Sequence, residues 1–137
     1  MPKKNVEKIL NDDGNVLAII GNTKKMKGKA NFITPNDFSF QTAVQNADKK
    51  SYWEAHKHQP FKSINYLEAQ EFIYVTKGEL NIGIYSGAER VTERKLEKGY
   101  FIILNSGHDI KSLKKTTQFI AIKQGPYRGK EEKVFLE

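Results

Sequence analysis

Three histidines and one glutamate carry the most specific chemistry this sequence offers. "AHKH" sets His56 and His58 one residue apart, Glu71 opens the apolar run "EFIYVTKG", and His108 follows a second apolar run, "YFIILNSG". On an extended strand, residues i and i+2 share a face, so His56 and His58 would present two imidazoles to one point. Glu71, Ile73 and Val75 would share a face in the same way, and a carboxylate among apolar neighbours needs a partner because a bare buried charge is costly. Imidazole nitrogens with one carboxylate suit a divalent first-row metal, and iron, manganese, nickel and zinc all accept such ligands. The chain has no cysteine, which excludes thiolate ligation, thiol catalysis and disulfides. Each residue alone has an ordinary reading, as a solvated or hydrogen-bonded histidine or an edge-strand glutamate. Their combined types and spacing single them out.

A set drawn from such distant positions must be held by strands. The chain reads as short alternating or apolar runs, "NVLAIIG", "DFSFQTAVQ", "EFIYVTKG", "ELNIGIYSG", "ERVTERKLEKG", "YFIILNSG" and "TTQFIAIKQG", broken by turn residues such as Lys98-Gly99 and Asn105-Ser106-Gly107. This pattern predicts an all-β sandwich or barrel rather than alternating α/β units. "DFSFQTAVQ" should place Phe38, Phe40, Thr42 and Val44 on one face, and "KKNVEKIL" predicts one short helical turn. Ile73, Val75, Leu80, Ile82, Ile84, Ile103, Ile120 and Ile122 are the expected core. At 137 residues the chain fits one domain, 1–137.

The net charge of +7 comes mostly from lysine. Arginine occurs at Arg90, Arg94 and Arg128, too few for bidentate base reading, so the lysines read as solvated loops and a nucleic-acid partner is not expected. No run approaches the roughly 20 apolar residues of a membrane span, and "MPKKNVEKILNDDGN" has no apolar core of a signal peptide. A cytoplasmic protein without a membrane partner is the expectation.

The motif residues resemble those of the cupins, and the chain looks like a small single-domain member of that superfamily. "HKH", then Glu71, six residues and Gly78, is similar to the first cupin motif. Gly99, the turn Asn105-Ser106-Gly107 and His108 are similar to the second. The resemblance covers about residues 38–127 and implies a jelly-roll barrel with His56, His58, Glu71 and His108 as ligands of one divalent metal (iron, manganese, nickel or zinc). Twelve residues separate His58 from Glu71, more than the family's usual spacing, and Asn105 stands where the second motif has proline. The closing "KQGPYRGKEEKV" resembles small cupins met beside surface-sugar synthesis proteins. The resemblance implies a small-molecule pocket for a sugar-derived or carboxylated, anionic ligand, used either in metal-dependent oxygenase or isomerase chemistry or in non-catalytic binding. Strand phase and proximity to the histidines nominate Gln41, Lys62, Asn65 and Gln118 for that pocket. A homodimer is expected, with strands in residues 15–30 at the interface.

Overall fold

In the computed structural model, residues 5–62 and 67–136 are described. They form ten strands: β1 (Val6–Leu10), β2 (Val16–Asn22), β3 (Ala30–Phe32), β4 (Ala43–Gln45), β5 (Glu71–Lys77), β6 (Glu79–Ser86), β7 (Glu89–Glu97), β8 (Tyr100–Leu104), β9 (His108–Ser112) and β10 (Gln118–Lys123). All their pairings are antiparallel, in a five-stranded sheet ordered β1-β2-β8-β5-β10, a three-stranded sheet ordered β7-β6-β9, and the small β3-β4 hairpin. The fold is all-β. Among the described residues no helix is long and apolar enough to cross a membrane.

The middle of the five-stranded sheet is covered on both faces, which explains why β2 and β8 are largely apolar instead of alternating. Ile20, Ile73, Val75, Ile102 and Leu104 face Leu80, Ile82, Ile84 and Leu96 of the three-stranded sheet in one buried cluster. On the other face Ile19, Phe101 and Ile103 pack with Met26 and Ile33, and Phe38, Val44, Phe72 and Tyr74 close around them. Burying apolar surface on both sides roughly doubles what one strand contributes, at about 25 cal/mol per Å². Gly78 turns β5 into β6 at φ +79°, and a Cβ there would meet the Thr116 carbonyl oxygen, so this motif glycine has a structural reason to be glycine.

Several expectations are corrected. The segment read as a helical turn is β1. Val6, Ile9 and Leu10 have helical spacing, but pairing with β2 satisfies the backbone and buries Ile9. "DFSFQTAVQ" is strand at Ala43–Gln45 alone, because Phe38 N donates to the Pro35 carbonyl and the Gln41 side-chain amide donates to the carbonyls of Pro35 and Phe38, holding a turn there. Ile120 and Ile122 are exposed rather than core, since β10 is an edge strand that neither covering layer reaches. β2 is paired on both sides, with β1 and with β8.

Candidate functional site

Pairing fixes where the motif residues go. Glu71 lies opposite Leu104 and two residues before buried Ile73, so it points into the space between the two sheets. His108 opens β9 and lies opposite Ile84 of β6, a buried residue on the inner face of the other sheet. The two side chains meet across the gap, with His108 Nε2 3.0 Å from Glu71 Oε1. Histidine is 25% exposed and glutamate 15%, so the pair sits at the mouth of the core rather than in bulk solvent. The partner that a carboxylate on this face requires is His108.

The ring's other nitrogen decides its protonation. Nδ1 lies 2.9 Å from the Ser106 carbonyl oxygen, which can accept but not donate, so Nδ1 carries a hydrogen. Nε2 faces the Glu71 side chain at 3.0 Å, an arrangement that favours a second proton on the ring. The Glu71 hydrogen bond is the largest cause raising the His108 pKa above its usual value. Burial opposes it, and the Ser106 carbonyl and the charges of Glu71 and Asp109 add to the rise.

Around this pair opens a cleft of about 940 Å³, bordered by Tyr85, Leu104, Gly107, Lys123, Arg128 and the C-terminal segment through Leu136. Lys123 is the cross-strand neighbour of Glu71 on β10 and faces the same side. Arg128 is tied to Glu132 at 3.3 Å. The Tyr85 hydroxyl donates to Asp109 Oδ2 at 2.5 Å, the main cause holding its pKa above the ordinary phenol value. The tail approaches so closely that a Cβ on Gly107 would lie 2.5 Å from Leu136 Cδ1.

Glu71 is aimed by the residue before it. Gln70 is 4% exposed and bonded at both ends of its side-chain amide and at its backbone N–H: its Oε1 accepts from Phe40 N, its Nε2 donates to Asn105 Oδ1, and its backbone N donates to Gln124 Oε1. Asn105, standing at the proline position of the second motif, passes the link on to the Val16 carbonyl. Gln70→Ala would leave Phe40 N and the Asn105 side chain without these partners, and should cost about 1–3 kcal/mol in urea unfolding.

The remaining predicted residues lie elsewhere. His56 and His58 are exposed in an irregular segment and not on a strand, because "AHKHQPFK" has no apolar alternation and Pro60 withholds a ladder donor. Their rings are nonetheless neighbours, with centroids 5.3 Å apart, and His56 Nδ1 lies 2.6 Å from the Glu54 carbonyl oxygen. Among the described residues no group of three His, Cys, Asp or Glu side chains is placed to hold one metal. Lys62 is exposed and Gln41 borders a separate groove of about 350 Å³ with Phe40, Phe72 and Ile122. Gln118 accepts from the Thr76 hydroxyl at the end of β10 remote from Lys123. Asn65 lies outside the described residues. Sequence reasoning missed Gln70 and Lys123. The phase of "QFIAIK" against "EFIYVTK" could have found Lys123, whereas the partners of Gln70 are 30 to 54 residues away and left no local signal.

The pair also sets a pH dependence. A histidine whose folded pKa is raised contributes stability fully below its unfolded value, near 6.5, and that contribution is lost as pH rises through the folded value. The metal-free protein should therefore lose stability as pH rises above about 6.5, and His108→Gln should flatten the loss. Urea midpoints measured from pH 5.5 to 9 check it.

Comparison with protein families, curated proteins and solved structures found no match.

Proposed function

We propose that this chain is a small divalent-metal-binding domain of cupin type, with a sugar-derived or carboxylated ligand entering the cleft between its sheets. The observation that carries the reading is the meeting of Glu71 and His108 from opposite sheets, with Nδ1 anchored on a backbone carbonyl. That anchor fixes the ring orientation and reserves Nε2, the nitrogen beside the carboxylate, for a metal. His56 has the same arrangement, its Nδ1 against the Glu54 carbonyl. The donor chemistry fits a divalent first-row ion, although the described structure holds the donors as two separate pairs. In this reading metal binding recruits His56 and His58 to Glu71 and His108. The twelve intervening residues can extend to about 40 Å, so chain length does not prevent it.

A bound ion would supply Lewis acidity to a ligand oxygen. The chain's own residues do the rest. Lys123 places a positive charge beside Glu71, suited to an anionic ligand. Leu104, Tyr85, Leu136 and Phe135 give the cleft apolar wall surface beside the pair. A second reading, ligand binding without metal, is favoured by the His108–Glu71 pair itself, since both ring nitrogens already have hydrogen-bond partners.

Elemental analysis of tag-free protein, followed by titration of the stripped protein with Mn²⁺, Fe²⁺, Ni²⁺ and Zn²⁺, separates the two. One tightly bound ion per chain, weakened in His56→Ala and His58→Ala, supports the metal reading. No metal at purification and no uptake on titration leaves the second.

A further inference from the structure

We infer that β10 is a self-association edge and that a second copy of this chain pairs with it, strand to strand. This inference is independent of the metal. β10 is bonded to β5 on one side and has no strand on the other among the described residues. Both of its faces are open as well: Phe119 is 38% exposed, Ile120 51% and Ile122 51%. An exposed edge with apolar residues on both faces is a template for pairing with another chain. The opposite edge of the same sheet is built differently. β1 reads "VEKIL", and its Glu7 is bridged at 3.0 Å to Arg94 of the other sheet. Charge guards one edge and not the other.

The area supports an occupant of substantial size. The chain exposes 10685 Å², whereas a folded monomer of its mass exposes about 7,300 Å², an excess of roughly 3,400 Å². A standard interface takes about 800 Å² from each partner, well within that excess. That excess belongs to the whole chain, and the six exposed residues of β10 are part of the exposed surface.

The strand is also complementary to itself. A two-fold axis perpendicular to the sheet sets residues of the same face opposite one another. Centred on Ile120, it puts Phe119 opposite Ala121 and Gln118 opposite Ile122. Centred on Ala121, it puts Ile120 opposite Ile122 and Phe119 opposite Lys123. In both registers Lys123, the one charge on the strand, meets a neutral residue rather than its own copy. The shallow groove beside the edge, formed by Phe40, Phe72 and Ile122, offers an apolar seat for a partner side chain. Two five-stranded sheets would then join into one continuous sheet of ten, with the symmetric, closed interface commonest among homodimers.

Sedimentation equilibrium on the full chain tests this. Wild type should weigh twice the 15.7 kDa chain mass at micromolar concentration. Ile120→Lys should sediment as a folded monomer with an unchanged far-UV spectrum, its dimer dissociation constant raised at least 100-fold. Val91→Lys, at an exposed apolar position on β7, should remain dimeric. A monomeric wild type at 100 µM, or a dimer that survives Ile120→Lys, overturns the inference. Should Ile120→Lys not fold, hydrogen exchange on wild type decides. Amides of β10 should gain protection with concentration while those of β1 do not, and protection that is independent of concentration contradicts pairing.

Discussion

His108→Ala is expected to weaken divalent-metal binding by more than roughly 100-fold, because losses of that size, 10- to 100-fold, already follow from removing groups that merely orient a ligand. The reasoning is local. His108 is the first residue of β9, its ring is held from behind by the Ser106 carbonyl, and its Nε2 stands 3.0 Å from Glu71 in the cleft. Alanine removes a donor and leaves a carboxylate at 15% exposure without its partner. The same change should therefore also lower stability, by about 1–3 kcal/mol. Glu71→Gln separates the two effects. It keeps the shape and can still hydrogen-bond the ring, yet it withdraws the negative charge a divalent ion needs, so affinity should fall much further than stability. Isothermal titration with Zn²⁺ or Mn²⁺, set beside urea unfolding of each stripped variant, measures both. Affinities within threefold of wild type in both variants would mean the pair is structural alone.

The largest expected loss of stability is at Phe101. This ring is 1% exposed, stacks on Phe72 with centroids 5.6 Å apart, and occupies the second buried layer with Ile19, Met26, Ile33 and Ile103. Phe101→Ala removes those contacts and leaves a cavity between the five-stranded sheet and its outer cover, at a cost of about 3–5 kcal/mol. The position has a built-in control. Phe101 lies opposite Gly21 on β2, and a Cβ at Gly21 would run into the Phe101 ring. Gly21→Ala alone should thus be destabilising, while in the Phe101→Ala background it should cost less, because the ring it strikes is gone and only the flexible end of Met26, 2.8 Å from that Cβ, remains to give way. A double-mutant cycle by urea denaturation measures that coupling. Additive costs would show that the close approach of β2 and β8 does not govern this layer.

What could be read in advance follows from where the information lies. β5 and β6 announce themselves because their alternation is local, and the burial of Ile73, Val75, Leu80, Ile82 and Ile84 follows that phase residue by residue. β9 was hidden, because "HDIKS" has no apolar run and becomes a strand only through pairing with β6. β1 looked helical because Val6, Ile9 and Leu10 satisfy either period until β2 is alongside. Ile120 and Ile122 have the composition of core residues, and nothing local says that their strand falls at an edge. The site divides in the same way. Glu71 was legible as a carboxylate in need of a partner, and His108 as a histidine after an apolar strand. Gln70, which aims Glu71, works through Phe40, Asn105 and Gln124, contacts that exist only in three dimensions. The expected strand for His56 and His58 rested on their spacing alone, and spacing does not supply the apolar alternation a strand requires.

With three histidines in the chain, one spectrum can report on every imidazole. Long-range ¹H–¹⁵N correlation of the ring nitrogens, recorded as Zn²⁺ is added to the stripped, tag-free protein, tests the central claim atom by atom. The expected result is that Nε2 of His108 moves to the position of a metal-bound nitrogen while its Nδ1 keeps its proton, and that His56 and His58 shift at the same stoichiometry. Resonances of His108 that stay where they are, at zinc levels saturating His56 and His58 or in the absence of any binding, would contradict it.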